Sequence, residues 1–155
     1  METLNQAPVV KAEMLIRKPA AQVFEAFADP AVTTKFWFTK SSGKLEVGKK
    51  IRWEWEMYGV SDELIVTALE PNKRIRIEWS DGTVTEWIFT PRTENETFVT
   101  IINSGFSGDT DAIVSQAIDS MGGYTIVLCG LKALLEHNIR LNLVADKAPD
   151  AHVQK

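Results

Sequence analysis

Cysteine is nearly absent from this sequence. Cys129 is the one thiol among 155 residues, so no internal disulfide can form, and a thiolate metal site would need further ligands that do not occur nearby. The thiol is expected to fill core. An excess of basic charge is also missing, since 17 Lys and Arg face 21 Asp and Glu for a formal net charge of −4. That balance leaves no footprint for nucleic acid and disfavours adhesion to anionic membranes. No run approaches the roughly 18 consecutive apolar residues of a membrane span. The N-terminal METLNQAPVVKAEM has no basic segment leading into an apolar export region. A soluble, cytoplasmic protein is therefore expected. HExxH, a Walker-type glycine loop, a GxSxG elbow and a paired CxxC are all lacking, which removes the usual metal, nucleotide and nucleophile chemistries. No catalytic residue, no metal and no cofactor is expected.

With 45% hydrophobic and 25% charged side chains, and neither repeats nor a linker, the chain reads as a single domain over residues 1–155. Its core is expected over about residues 9–145, with loose ends. Val10, Ala12, Met14 and Ile16 alternate with Lys11, Glu13, Leu15 and Arg17, the pattern of a strand with one buried face. Pro19 suits the first turn of a helix whose inner positions are Val23, Phe24 and Phe27. Asp29-Pro30 ends that helix and starts a short second one toward Phe36, which finishes in the aromatic cluster Phe36, Trp37, Phe38.

From Lys44 to about Phe106 the period changes to two, and turn signals at Tyr58-Gly59, Pro71-Asn72, Asp81-Gly82 and Glu94-Asn95 divide five strands. In the first of them Ile51, Trp53, Trp55 and Met57 share one face, opposite Arg52, Glu54 and Glu56. The Asp81-Gly82 hairpin sets a choice of register. A two-residue turn would pair Ile77 with Glu86 and bury a carboxylate among Ile75, Ile77 and Trp79. A three-residue loop from Ser80 to Gly82, with Gly82 left-handed in a bulge, instead puts Thr85, Trp87 and Phe89 on the face of Ile75, Ile77 and Trp79, and Arg76 opposite Glu86. An unpaired buried carboxylate costs far more than the ~0.2–1 kcal/mol of a cross-strand charge pair, so the bulged register is expected. In the last strand Asn103 closes an inner row with Val99 and Ile101.

Asp109 or Thr110 can cap a long helix over about residues 110–136. Ile113, Ala117, Met121, Tyr124, Leu128, Leu131 and Leu135 form its apolar stripe, and Asn138 ends it in a left-handed cap. At ~1.5 Å per residue it would run roughly 40 Å, enough to cross the sheet. Gly122, Gly123 and Gly130 lie inside it, either for close packing or to widen a pocket.

The segments RKPAAQVFEAFADP, KLEVGKKIRWEWE, LEPNKRIRIEW, IINSGF and GGYTIVLCGLKALLEHN, in this order, resemble the Activator of Hsp 90 ATPase homologue-like family of the SRPBCC/START-like superfamily. The resemblance implies an α+β helix-grip fold: a curved, antiparallel, six-stranded sheet in the order β-α-α-β-β-β-β-β-α, wrapped around the C-terminal helix. It also implies a cavity between sheet and helix that holds an apolar ligand in many superfamily members. The chain departs from the common pattern at Asn103, where the family often carries histidine, and near Tyr124, where it often carries tryptophan.

The candidate cavity lining is Trp53, Trp55, Met57, Trp79, Trp87, Phe89, Asn103, Met121, Tyr124 and Leu128, weighed against a plain aromatic core. Glu54, Glu56 and Glu86 fall on the outer face by alternation. His137 in the last helical turn and His152 in a polar tail are not placed for acid-base work. Three readings follow. The first is binding of a small hydrophobic or amphipathic molecule, a lipid for instance. The second, implied by the resemblance, is a stress-related partner of a heat-shock chaperone ATPase. The third is a cavity enzyme of cyclase, hydrolase or dehydratase type. Val84 and Ile88 on the outer face make a homodimer conceivable.

Overall fold

The computed structural model describes residues 7–153. The chain opens with strand β1 (Val10–Ile16), helix α1 (Ala20–Ala28) and the single turn α2 (Pro30–Thr33). Strands β2 (Lys40–Ser41), β3 (Lys50–Trp55), β4 (Val60–Glu70), β5 (Arg74–Trp79), β6 (Val84–Thr93) and β7 (Glu96–Ser104) follow. Helix α3 (Thr110–His137), the short α4 (Leu143–Lys147) and a 3₁₀ turn (Pro149–Ala151) close the described chain. The strands form one antiparallel sheet in the order β1-β7-β6-β5-β4-β3-β2. Seven strands thus replace the expected six. The addition is β2, whose Lys40 and Ser41 pair with Glu54 and Trp53. A strand of two residues carries no periodicity to read, and side chains hold it instead: the Glu56 and Arg52 amides donate to Thr39 Oγ1 and Ser42 Oγ.

The bulged hairpin register is present. Ile77 pairs with Thr85, Arg76 with Glu86 and Ile75 with Trp87, while Gly82 takes φ 90°. Glu86 consequently faces outward, where it pairs with Arg74 on the neighbouring diagonal and not with Arg76. The concave face carries Ala12, Ile16, Ile51, Trp53, Leu64, Val66, Ile75, Ile77, Trp87, Phe89, Val99 and Ile101, all buried. On the outer face Val84 and Ile88 are half-buried, less open than an exposed dimer patch would be.

Three local expectations shift. Pro19 is the residue before the first turn of α1, in extended conformation, and not within it. The second helix stops at Thr33 and continues as turns to Trp37, with Asp29 capping its start. Residues 146–153 are not a loose tail: the Val153 amide donates to Met57 O, and His152 Nε2 bonds Ala145 O.

Asp109 caps α3, accepting from the Ala112 amide at 2.8 Å, and Asn138 ends it at φ 53°. Its buried residues are Tyr124, Val127, Leu128, Gly130, Leu131 and Leu134, so only the C-terminal half is gripped. The expected stripe therefore fails at its start. Ile113 and Ala117 are only half-buried, and Met121 is exposed on the helix face it shares with Val114 and Ile118. By length and a mean hydropathy of 1.3, α3 would also suit a membrane crossing. The apolar side chains of its C-terminal half are instead buried in the core, which marks it as the gripped core helix.

Candidate functional site

Between the sheet and the middle of α3 lies an open cavity of about 500 Å³. Its aromatic wall is Trp37, Trp55, Trp79 and Tyr124, and α3 adds Ser120, Gly123, Ile126 and Val127. Trp37 is the hub of this wall, with ring centroids 5.0 Å from Trp53, 6.2 Å from Trp55 and 5.7 Å from Tyr124. It hangs from the turns after α2, where the short helix ends in three consecutive aromatic residues. One side of the mouth is covered by α4, which contributes Val144 and Lys147. The Tyr58 hydroxyl donates to Val144 O and so ties α4 to the strand end.

Of the ten residues expected to line the cavity, Trp55, Trp79, Asn103 and Tyr124 do so. Trp53, Trp87, Phe89 and Leu128 are no more than 3% exposed and belong to the packed core behind it. Helix α1 accounts for that: Phe24 meets Phe89 at 5.5 Å and Phe27 meets Trp87 at 5.7 Å, so the space in front of those rings is taken. Phe38 likewise stacks on Trp53 at 4.3 Å and an interplanar angle of 15°. Met57 faces elsewhere, because the strand ends at Trp55 and Glu56–Tyr58 is a 3₁₀ turn that rotates it toward Thr34 and Leu143. Met121 is 44% exposed on the outer side of α3.

Sequence reasoning missed two carboxylates at the mouth, Asp62 and Asp81. Asp62 pairs across the sheet with Trp53 and alternates with buried Leu64 and Val66, so the inward period of β4 carried the signal. Each is held by one oxygen. Asp62 Oδ1 accepts from Ser80 Oγ at 2.6 Å and from the Glu63 amide at 2.8 Å, while Asp81 Oδ1 accepts from the Thr83 amide and hydroxyl at 2.9 and 2.7 Å. Among the described residues neither forms a salt bridge, nor does Lys147. Glu54, Glu56 and Glu86 stay off the cavity, and His137 is exposed at the end of α3.

A polar chain runs through the otherwise apolar wall. Ser120 Oγ donates to Asn103 Oδ1 at 2.6 Å, and Asn103 Nδ2 donates to Val84 O at 2.7 Å and to Thr85 Oγ1 at 3.1 Å. Trp79 Nε1 also donates to Thr85 Oγ1, at 2.9 Å, and Thr85 Oγ1 lies 2.8 Å from Tyr124 Oη. Burial pushes the Tyr124 phenol well above its usual range, against the opposing pull of Thr85 and Trp79. It stays protonated and neutral, a hydrogen-bonding group and a poor base.

A sheet wrapped on one long helix, with a hollow between them, defines the helix-grip class of START-like proteins. The chain belongs to the family described as Activator of Hsp90 ATPase homolog 1-like protein, whose model matches residues 17–136. Helix α4 and its Lys147 lie beyond the matched segment. The crystal structure of protein SSP2350 from Staphylococcus saprophyticus is similar at 29% identity and TM-score 0.76, covering 86% of this chain and 96% of that one. The solution structure of the Aha1 dimer from Colwellia psychrerythraea shares the fold at 23% identity and TM-score 0.73, covering 84% and 97%. DynU16, a putative protein in the dynemicin biosynthetic locus, shares it at 21% identity and TM-score 0.74, covering 85% of this chain and 48% of that one. A comparison with curated proteins finds no match.

Proposed function

We propose that this protein binds a small hydrophobic or amphipathic molecule between the sheet and α3, without catalysis. The observation that carries the reading is the open cavity of about 500 Å³ beside a core that is otherwise filled. That volume falls within the ordinary range of small-molecule sites, and its lining has their composition: large apolar rings with a few convergent polar groups. Trp37, Trp55 and Trp79 supply contact area, and Tyr124 supplies orientation. Cytoplasmic location belongs to the same proposal.

Family membership favours a second reading, partnership with a heat-shock chaperone ATPase through the surface. A cavity enzyme is the weakest of the three. The phenol that faces the cavity is held neutral, the hydroxyls beside Asp62 and Asp81 at the mouth, those of Ser80 and Thr83, are donors to them, and among the described residues no group of His, Cys, Asp and Glu could hold a metal ion. A homodimer stays a proposal of its own, with the dimeric Colwellia protein as a relative of the same fold.

Native mass spectrometry of the protein purified from its own host, followed by denaturation to release anything bound, tests the ligand reading. A stoichiometric apolar passenger is expected. A clean apo mass would move the weight to the chaperone-partner reading.

A further inference from the structure

Counting protons along the polar chain fixes which way the Tyr124 hydroxyl, on the cavity wall, points its hydrogen. The amide of Asn103 is oriented by Val84 O, since only Nδ2 can donate to a carbonyl; its Oδ1 therefore faces Ser120, which donates to it. Thr85 Oγ1 then receives two donors, Asn103 Nδ2 and Trp79 Nε1. A hydroxyl oxygen has two acceptor sites and one hydrogen. Both acceptor sites of Thr85 are filled, so its hydrogen goes to the remaining neighbour, Tyr124 Oη at 2.8 Å. Tyr124 is thus the acceptor of that bond. Its own O–H has no acceptor among the described residues, although the side chain is 9% exposed and lines the cavity.

A donor this buried is expensive to leave unpaired, whereas a ligand that supplies an acceptor satisfies it. We infer that the cavity selects ligands carrying a neutral hydrogen-bond acceptor, a carbonyl-type oxygen on an apolar and preferably aromatic body, which receives the Tyr124 O–H. Asn103, Thr85 and Ser120 are positioning residues: their hydrogens are spent on one another, on Val84 O and on Tyr124 Oη, and the result is a donor of fixed direction. The rim argues for a neutral acceptor over an anion, since Asp62 and Asp81 outnumber Lys147 there. The three tryptophans argue for the aromatic body.

The inference rests on the ligand-binding reading, and one pair of probes separates the two. 2-Acetylnaphthalene and 2-ethylnaphthalene have nearly the same shape, and only the first carries the oxygen. Both are titrated into wild type and Tyr124→Phe by quenching of tryptophan fluorescence. The expected result is that both bind wild type, that Tyr124→Phe loses up to about tenfold for the ketone, and that the hydrocarbon changes by less than about twofold. If both probes bind and Tyr124→Phe affects them equally, the donor assignment is overturned while the cavity reading stands. If neither binds, the cavity reading falls and takes the inference with it. The variant leaves the Thr85 hydroxyl without its acceptor, so a second readout needs no variant. The carbonyl stretch of 13C-labelled ketone bound to wild type should lie below its position in hydrocarbon solvent, and an unshifted band overturns the assignment.

Discussion

The two ends of the cleft between sheet and helix are built from the same kinds of side chain and reach opposite states. At one end, Phe24 and Phe27 of α1 press on Phe89 and Trp87, and Leu128 and Leu131 of α3 lie buried in the same core. At the other, Trp55 and Trp79 look toward Tyr124 with only the short α4 across the mouth, and the space stays open. The sheet's composition does not distinguish these ends. What differs is whether a second element delivers an apolar ridge into the hollow: an aromatic on a strand becomes core where a helix covers it, and cavity wall where none does.

The most forceful way to break this comparison is to truncate one ring at each end. Phe27 is 3% exposed and touches Phe36, Trp87 and Phe89, so Phe27→Ala should lower unfolding free energy by about 3–5 kcal/mol in urea denaturation. Trp55 is only half-buried, and part of its surface already faces the cavity. Trp55→Ala should cost less than half as much while weakening any cavity ligand. Equal losses would mean that the open end is packed as tightly as the closed one.

Most of the closed end was legible in the sequence, and much of the open end was not. Period-two alternation and the cost of burying Glu86 sufficed to choose the register of β5 and β6, because both are local and the alternatives differ by whole charges. The same alternation placed Trp53 and Trp87 inward but could not say whether α1 would fill the space in front of them, since that depends on how a separate element docks. Met57 was lost to a 3₁₀ turn that interrupts the strand two residues early. Met121 failed because it falls on the outer face of α3 that it shares with exposed Val114 and Ile118, while its neighbour Ser120 turns inward to Asn103. Trp37, Asp62 and Val144 reach the cavity from three separate elements, and only Asp62 carried an inward signal of its own.

Alkaline pH sharpens the comparison through Tyr124. In the unfolded chain a phenol ionises near pH ~10. In the folded protein burial holds it protonated well beyond that. A folded pKa raised above the unfolded value gives stability that is complete below about pH 10 and lost as pH rises through the folded pKa. The urea midpoint of wild type should therefore fall relative to Tyr124→Phe as pH climbs from about 9 to about 11, with the two curves parallel below that window. Parallel curves throughout would show that the phenol at the open end is wetter than its 9% exposure indicates.

The mildest probe is a single methyl at each of two helical glycines, one per end. A Cβ added at Gly123 meets no atom within 4 Å, because it projects into the cavity; at Gly130 it meets Phe36 Cβ and O at 3.4 Å, where the turns after α2 lie against the helix. Glycine within a helix costs up to about 1 kcal/mol relative to alanine. Gly123→Ala should recover about 0.5–1 kcal/mol of that in thermal or urea unfolding, while taking a methyl's volume from the cavity and so weakening the bulkiest ligands most. At Gly130 the added methyl sits at the near limit of van der Waals contact with Phe36, with no room to spare, so the net gain should be smaller there. The two glycines then have different reasons for being there: Gly130 permits a close approach that seals one end of the cleft, and Gly123 keeps the other end hollow. Equal gains at both positions would remove that distinction and leave the cavity as an accident of a short α4.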